Sequence, residues 1–133
     1  MKEIITSKSA PTTGFTDSAK PPPIVQAIRA GGMLFVSGQG PLDPATKTVV
    51  DGDIEVQTRR TLANLISVLE AGGATLANVV NMRVVLRNVA DFPRFNEVFR
   101  EVLAGEKVTR TCIGGTPHRA GVNVEIDCIA VLD

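Results

Sequence analysis

DIEVQTRRTLANLISVLEAGGATLANVVNMRVVL, residues 53–86, sets a capped helix directly before a strand. Asp53 stands where a carboxylate can accept hydrogen bonds from the first free amides of a helix. Gly72 and Gly73 stand where a helix stops. Between them Leu62, Leu65, Ile66 and Leu69 recur at helical spacing and make one apolar stripe. Arg59, Arg60, Asn64 and Glu70 are the polar remainder. The spacing predicts a helix over Ile54 to Ala71. Val79 to Leu86 is rich in β-branched residues and reads as a strand.

Working outward, Asp91 is placed to cap a second helix, with Pro93 tolerated in its first turn. Phe92, Phe95, Val98, Phe99, Val102 and Leu103 form its expected buried face. Upstream, Val25 to Arg29 and Met33 to Ser37 read as a hairpin turning at Ala30-Gly31-Gly32. Residues Ser9 to Pro23 are rich in Ser, Thr, Gly and Pro and read as loop, with Pro21-Pro22-Pro23 imposing an extended path. Downstream, Thr109 to Cys112 and Asn123 to Val131 read as two final strands.

Few strands with two helices between them imply a two-layer α+β sandwich with the helices on one face. In the strand from Val79, one face carries Val80, Met82, Val84 and Leu86; the other carries Val79, Asn81, Arg83 and Val85. The last strand puts Val124, Ile126, Cys128 and Ala130 on one side. Glu125, Asp127, Ile129 and Val131 share the other with Asn123. Apolar residues on an uncovered face are usually buried in an oligomer, so a homo-oligomer is expected.

The 133 residues suit one domain, 1–133, with residues 1–23 as a partly looped N-terminal segment. Fourteen basic and fourteen acidic residues give a formal charge of zero, and no basic block stands out. Nucleic acid is therefore not an expected partner. Cys112 and Cys128 lack CxxC spacing and read as two free thiols. One histidine, His118, cannot build a His-rich metal site. Without a signal-like run or a membrane-length apolar stretch, the expected location is cytoplasmic.

Two residues stand out chemically. Arg110 is a lone arginine between Thr109 and Thr111, and its fork suits a substrate carboxylate. Equally, it suits an ion pair. Glu125 interrupts an apolar strand and suits proton or water handling, or else pairing with Arg110 across two antiparallel strands. Cys112 shares a strand face with Arg110 and reads as a buried thiol or a reactive one. Ser37 and Gly38 end a strand with small residues, which suits close approach of backbone to a ligand or simply a turn. Asn96 lies on the polar side of the second helix, within reach of a ligand or solvent. His118 and Arg119 fall in the last inter-strand turn, where solvation is the default.

Taken in order, these pieces resemble the YjgF/RidA family of enamine/imine deaminases over about Pro22 to Val131. The resemblance rests on Val25-Gln26-Ala27, Phe35-Val36-Ser37-Gly38-Gln39 with Pro41 and Pro44, and Asp53-Ile54 with Gln57. It continues through Leu69-Glu70-Ala71-Gly72-Gly73, Val79-Val80, Asp91-Phe92 with Asn96, then Arg110 and Val124 to Val131. It implies a chorismate-mutase-like α+β fold with a mixed sheet, assembled as a homotrimer whose inter-subunit clefts hold the ligand. It also implies that Arg110 grips the substrate carboxylate and Glu125 positions or activates water, with Ser37, Gly38, Asn96 and Cys112 around them. The implied reaction is hydrolysis of 2-imino or enamino acids to 2-oxo acids and ammonia, with no metal or organic cofactor needed. Ile24 stands where the family commonly has a tyrosine facing the site, which points toward a larger or more apolar substrate. Two alternatives follow from that change. One is a pathway-specific deaminase of a bulkier aminomuconate- or aminoacrylate-like enamine, and the other is a non-catalytic ligand-binding trimer.

Overall fold

The structure is a computed structural model that describes residues 1–11, 20 and 22–133. The expected loop at residues 12–19 and the path at Pro21 lie outside the described residues. Its strands are β1 (Glu3–Ile5), β2 (Ala27–Ala30), β3 (Met33–Gln39), β4 (Val79–Leu86), β5 (Thr109–Gly114) and β6 (Val124–Val131). Helices α1 (Ile54–Ala71) and α2 (Phe92–Leu103) lie between β3 and β5 in sequence. The strand order in the sheet is β1-β2-β3-β6-β4-β5. Only β4 and β5 run parallel, so the sheet is mixed. A parallel pair needs a long crossover, and α2 supplies it.

Helix α1 has the predicted bounds. Asp53 Oδ1 accepts from the Val56 amide at 3.1 Å, and the amides of Gly72 and Gly73 close its last turn. Backbone amides then hold the Asp53 carboxyl below its ordinary pKa, with Arg94 helping. The buried stripe is Leu62, Leu65, Val68 and Leu69; Ile66 is only half-buried. Asn64 departs from the polar remainder and is wholly buried. Its Nδ2 donates to the carbonyls of Gly40 (3.0 Å) and Leu42 (2.9 Å), so long-range carbonyls explain a buried amide.

Other expectations change for local reasons. β1 joins the sheet at one edge, paired with β2. β2 begins at Ala27 rather than Val25, because Gln26 turns inward as a clasp on the N-terminal segment. Its Oε1 accepts from the Ser7 amide (2.6 Å), and its Nε2 donates to the carbonyls of Ala10 and Pro11. The hairpin turns at Gly31 and Gly32, whose φ of 58° and 75° suit glycine. β3 runs on to Gln39 through a register shift after Val36. Val79 is buried and Val80 exposed, the reverse of strict alternation with Met82, because the β4–β6 register shifts between Val79 and Asn81.

Asp91 makes no capping hydrogen bond. A short 3-10 turn, Val89–Asp91, leads straight into α2, and Asn88 caps that turn instead. Phe95, Val98, Phe99 and Leu103 are buried as expected, whereas Phe92 stands partly in the open. Both helices pack on one face, over Leu34, Val36, Met82, Val84 and the buried side of β6. Val124, Ile126, Cys128 and Ala130 are that buried side. Both cysteines are free, and burial pushes the Cys128 thiol up to about 12.

Candidate functional site

Arg110 lies on edge strand β5 with Met82 as its cross-strand neighbour, so its side chain follows Met82 toward the helix layer. Its guanidinium carbon sits 4.8 Å from the ring centroid of Phe99, 5.4 Å from Phe92 and 5.8 Å from Phe95. These distances suit cation–π attraction. Nη1 donates to Asn96 Oδ1 at 2.8 Å. The spacing of Phe92, Asn96 and Phe99 along α2 turns all three toward one arginine. Among the described residues, no carboxylate lies within ion-pair distance of Arg110. The guanidinium is thus held in place while its charge stays available to an anion.

Cys112 follows on the same face of β5, opposite Val84. It is half-buried, and burial raises its thiol pKa against the opposing pull of Arg110. That favours the neutral thiol over a thiolate.

Glu125 is on the other side of the sheet. Its neighbours Val124 and Ile126 face the helices, so Glu125 faces away from them. Its carboxylate lies over Gly38: a methyl group placed there would sit 2.3 Å from Oε1. Gly38 therefore makes room for the Glu125 side chain itself. The two line a cleft of about 50 Å³ with Gly40, Leu42, Pro117 and Val122. His118, Arg119 and Pro11 complete its rim. Nearby, Ser37 Oγ donates to the Val25 carbonyl at 2.5 Å. Ile24 is exposed and borders a second hollow with Val25, Phe35 and Ser37.

Two side chains that sequence spacing does not single out hold the cleft wall. Arg87 donates through Nε to the Val122 carbonyl (2.9 Å) and through Nη2 to Pro117 and Arg119. Gln57, buried on α1, donates to the Gly121 carbonyl and accepts from the Asn123 amide, both at 2.8 Å. Gln57 is marked by its place with Asp53-Ile54 in the family resemblance; no local pattern marks Arg87.

The candidate residues thus fall into two groups. Arg110, Asn96 and Cys112 meet on the helix side at the β5 edge. Glu125 and Gly38 meet on the open side, with Ser37 and Ile24 along the same face. The expected Arg110–Glu125 strand pair is absent, because β4 lies between β5 and β6 and pairs with both. Glu125 is opposite Val85 instead.

The family model described as Endoribonuclease L-PSP matches residues 18–132. The chain belongs to this family, which is the YjgF/RidA/RutC family. A RutC family protein of Pyrococcus horikoshii is 40% identical over 132 residues, 98% of each chain. A Yersinia pestis protein of the conserved Rid family superposes with a TM-score of 0.88 at 31% identity, covering 99% of this chain and 100% of that one. Escherichia coli TdcF, solved with serine bound, superposes with a TM-score of 0.85 at 29% identity, covering 98% and 99%. The α+β architecture is thus that of the YjgF/RidA/RutC family. Among the described residues, no helix is long and apolar enough to cross a membrane, and no three His, Cys, Asp or Glu side chains group to hold a metal ion.

Proposed function

We propose that the protein hydrolyses reactive 2-imino or enamino acids to 2-oxo acids and ammonia, with sites formed between subunits of a homotrimer. The observation that carries this reading is the state of Arg110. Three rings and one amide fix its guanidinium, and no carboxylate of the described chain neutralises it. A fixed, unneutralised fork suits a carboxylate-bearing ligand. A relative solved with an amino acid bound, TdcF with serine, supports a ligand of that class.

The second catalytic group in this reading is Glu125. It lies on the opposite face of its own sheet, so the proposed site joins the arginine end of one protomer to the glutamate cleft of the next. In the reaction, the iminium carbon is already electrophilic. Glu125 takes a proton from water as the oxygen attacks that carbon, giving a carbinolamine. Proton transfer to nitrogen and collapse of the C–N bond release ammonia and leave the 2-oxo acid. Holding the carboxylate beside the water supplies the acceleration.

The test is release of 2-oxo acid from imines made in situ by an amino-acid oxidase, with semicarbazide trapping residual imine. Native protein accelerates release, and Arg110→Ala loses that acceleration. Equal rates with and without native protein, across small and bulky imines, would sink the reading and favour a ligand-binding trimer.

A further inference from the structure

Three of the exposed large hydrophobic residues border one hollow at the β5 edge, and Phe92 links it to Arg110; the Ile113 side chain itself alternates to the open face with Val85. Val89 is 67% exposed, Ile113 56% and Phe92 38%. With Leu86, Cys112 and Gly114 they line a hollow of about 330 Å³ that contains no charged side chain. Phe92 belongs to both features: its ring is one wall of the hollow and also lies 5.4 Å from the Arg110 guanidinium carbon. Glycine at position 114 keeps the hollow open, since a methyl group there would sit 2.6 Å from Val89 Cγ1.

A positive fork next to an uncharged apolar hollow is complementary to an amphiphilic carboxylate. The charge takes the carboxylate, and the hollow takes an apolar group a few bonds away. A methyl group would touch little of that apolar wall, whereas an isobutyl or benzyl group would cover more of it. Resting on the deaminase reading above, we propose that Val89, Phe92 and Gly114 form the side-chain subsite. It selects 2-imino acids with bulky aliphatic or aromatic side chains over the alanine-derived imine.

The experiment compares kcat/KM for 4-methyl-2-iminopentanoate and 2-iminopropanoate, both made in situ. The full chain carrying Val89→Ser runs beside the native protein. Val89 is exposed, so the core stays intact. Gly114→Ala is the second variant and narrows the hollow instead of making it polar. Calorimetry with the stable products, 4-methyl-2-oxopentanoate and pyruvate, gives a readout independent of turnover.

The expected native preference for the bulky imine is about tenfold or more, and both variants bring the ratio toward unity. Equal hydrolysis of the two imines, with equal binding of the two oxo acids, would overturn the subsite and leave the deaminase reading standing. Preferential binding of the branched oxo acid with no hydrolysis would do the reverse. If Val89→Ser changes the mass of the native assembly by light scattering and leaves the ratio untouched, a second copy of the chain covers the hollow. The subsite would then be wrong.

Discussion

On the helix side of the sheet, Arg110 is clamped by Phe92, Phe95, Phe99 and Asn96 of one helix. On the other side, Glu125 rests against bare backbone at Gly38, walled by a loop that Arg87 and Gln57 hold from behind. One group is fixed directly by α2; the other depends on segments remote from it in sequence. The difference teaches that one protomer assembles the whole Arg110 cluster but does not bring Glu125 to it.

The largest expected effect breaks the grip. Arg110→Ala lowers kcat/KM for imine hydrolysis by at least about 100-fold, roughly 3 kcal/mol of transition-state stabilisation. Arg110→Lys recovers only a small part, because a point charge replaces a fork. Mixing sharpens the comparison. If the two groups meet across a subunit boundary, refolding Arg110→Ala together with Glu125→Gln restores about a quarter of native activity, although each alone is inactive. No recovery, in mixtures shown by mass to have exchanged subunits, would place both groups in one protomer's site.

The second effect is on stability and couples the two sides. Asn64 reaches from α1 to the carbonyls of Gly40 and Leu42, residues that also line the Glu125 cleft. Asn64→Ala takes the donor from the buried Leu42 carbonyl and leaves the Gly40 carbonyl only the Leu42 amide, and costs about 1–3 kcal/mol of unfolding free energy. Urea denaturation measures it. A loss near zero would mean that water replaces the amide and that the 40–42 segment is not held from the helix layer.

Asn64 also shows what could be read ahead of the structure. The bounds of α1 follow from Asp53, the leucine stripe and Gly72-Gly73, which act within a few residues of one another. The burial of Asn64 depends on a segment more than twenty positions away, and no local pattern reports it. Likewise Arg110 and Glu125 are legible as lone charges on apolar strands. Their separation is not, because it arises when β6 inserts between β3 and β4, a pairing of distant segments. Phe92 looks like core by spacing alone; only the arginine opposite explains why it stands partly in the open.

A smaller effect tests the open side alone. Gly38→Ala puts a methyl group where the Glu125 carboxylate lies, 2.3 Å from Oε1. The side chain must rotate away, and imine hydrolysis falls by about tenfold while stability changes by less than about 1 kcal/mol. An unchanged rate in Gly38→Ala would show that the position of Glu125 over residue 38 is immaterial to turnover. The Arg110 end would then carry the chemistry without it.

The smallest effect belongs to the covered side and runs in the opposite direction. Thr58 and Thr61 are wholly buried on α1, and neither hydroxyl has a hydrogen-bond partner among the described residues. A buried hydroxyl without a partner forfeits its hydration and receives nothing in return. Valine has nearly the same shape. Thr61→Val should therefore stabilise the protein by about 1 kcal/mol, read as a rise in the urea midpoint with an unchanged slope. A fall instead would mean that in solution the hydroxyl turns back onto a carbonyl of the preceding helical turn. The Thr61 hydroxyl would then be satisfied within its own helix, and Thr58, almost one turn earlier, would be expected to show the same fall.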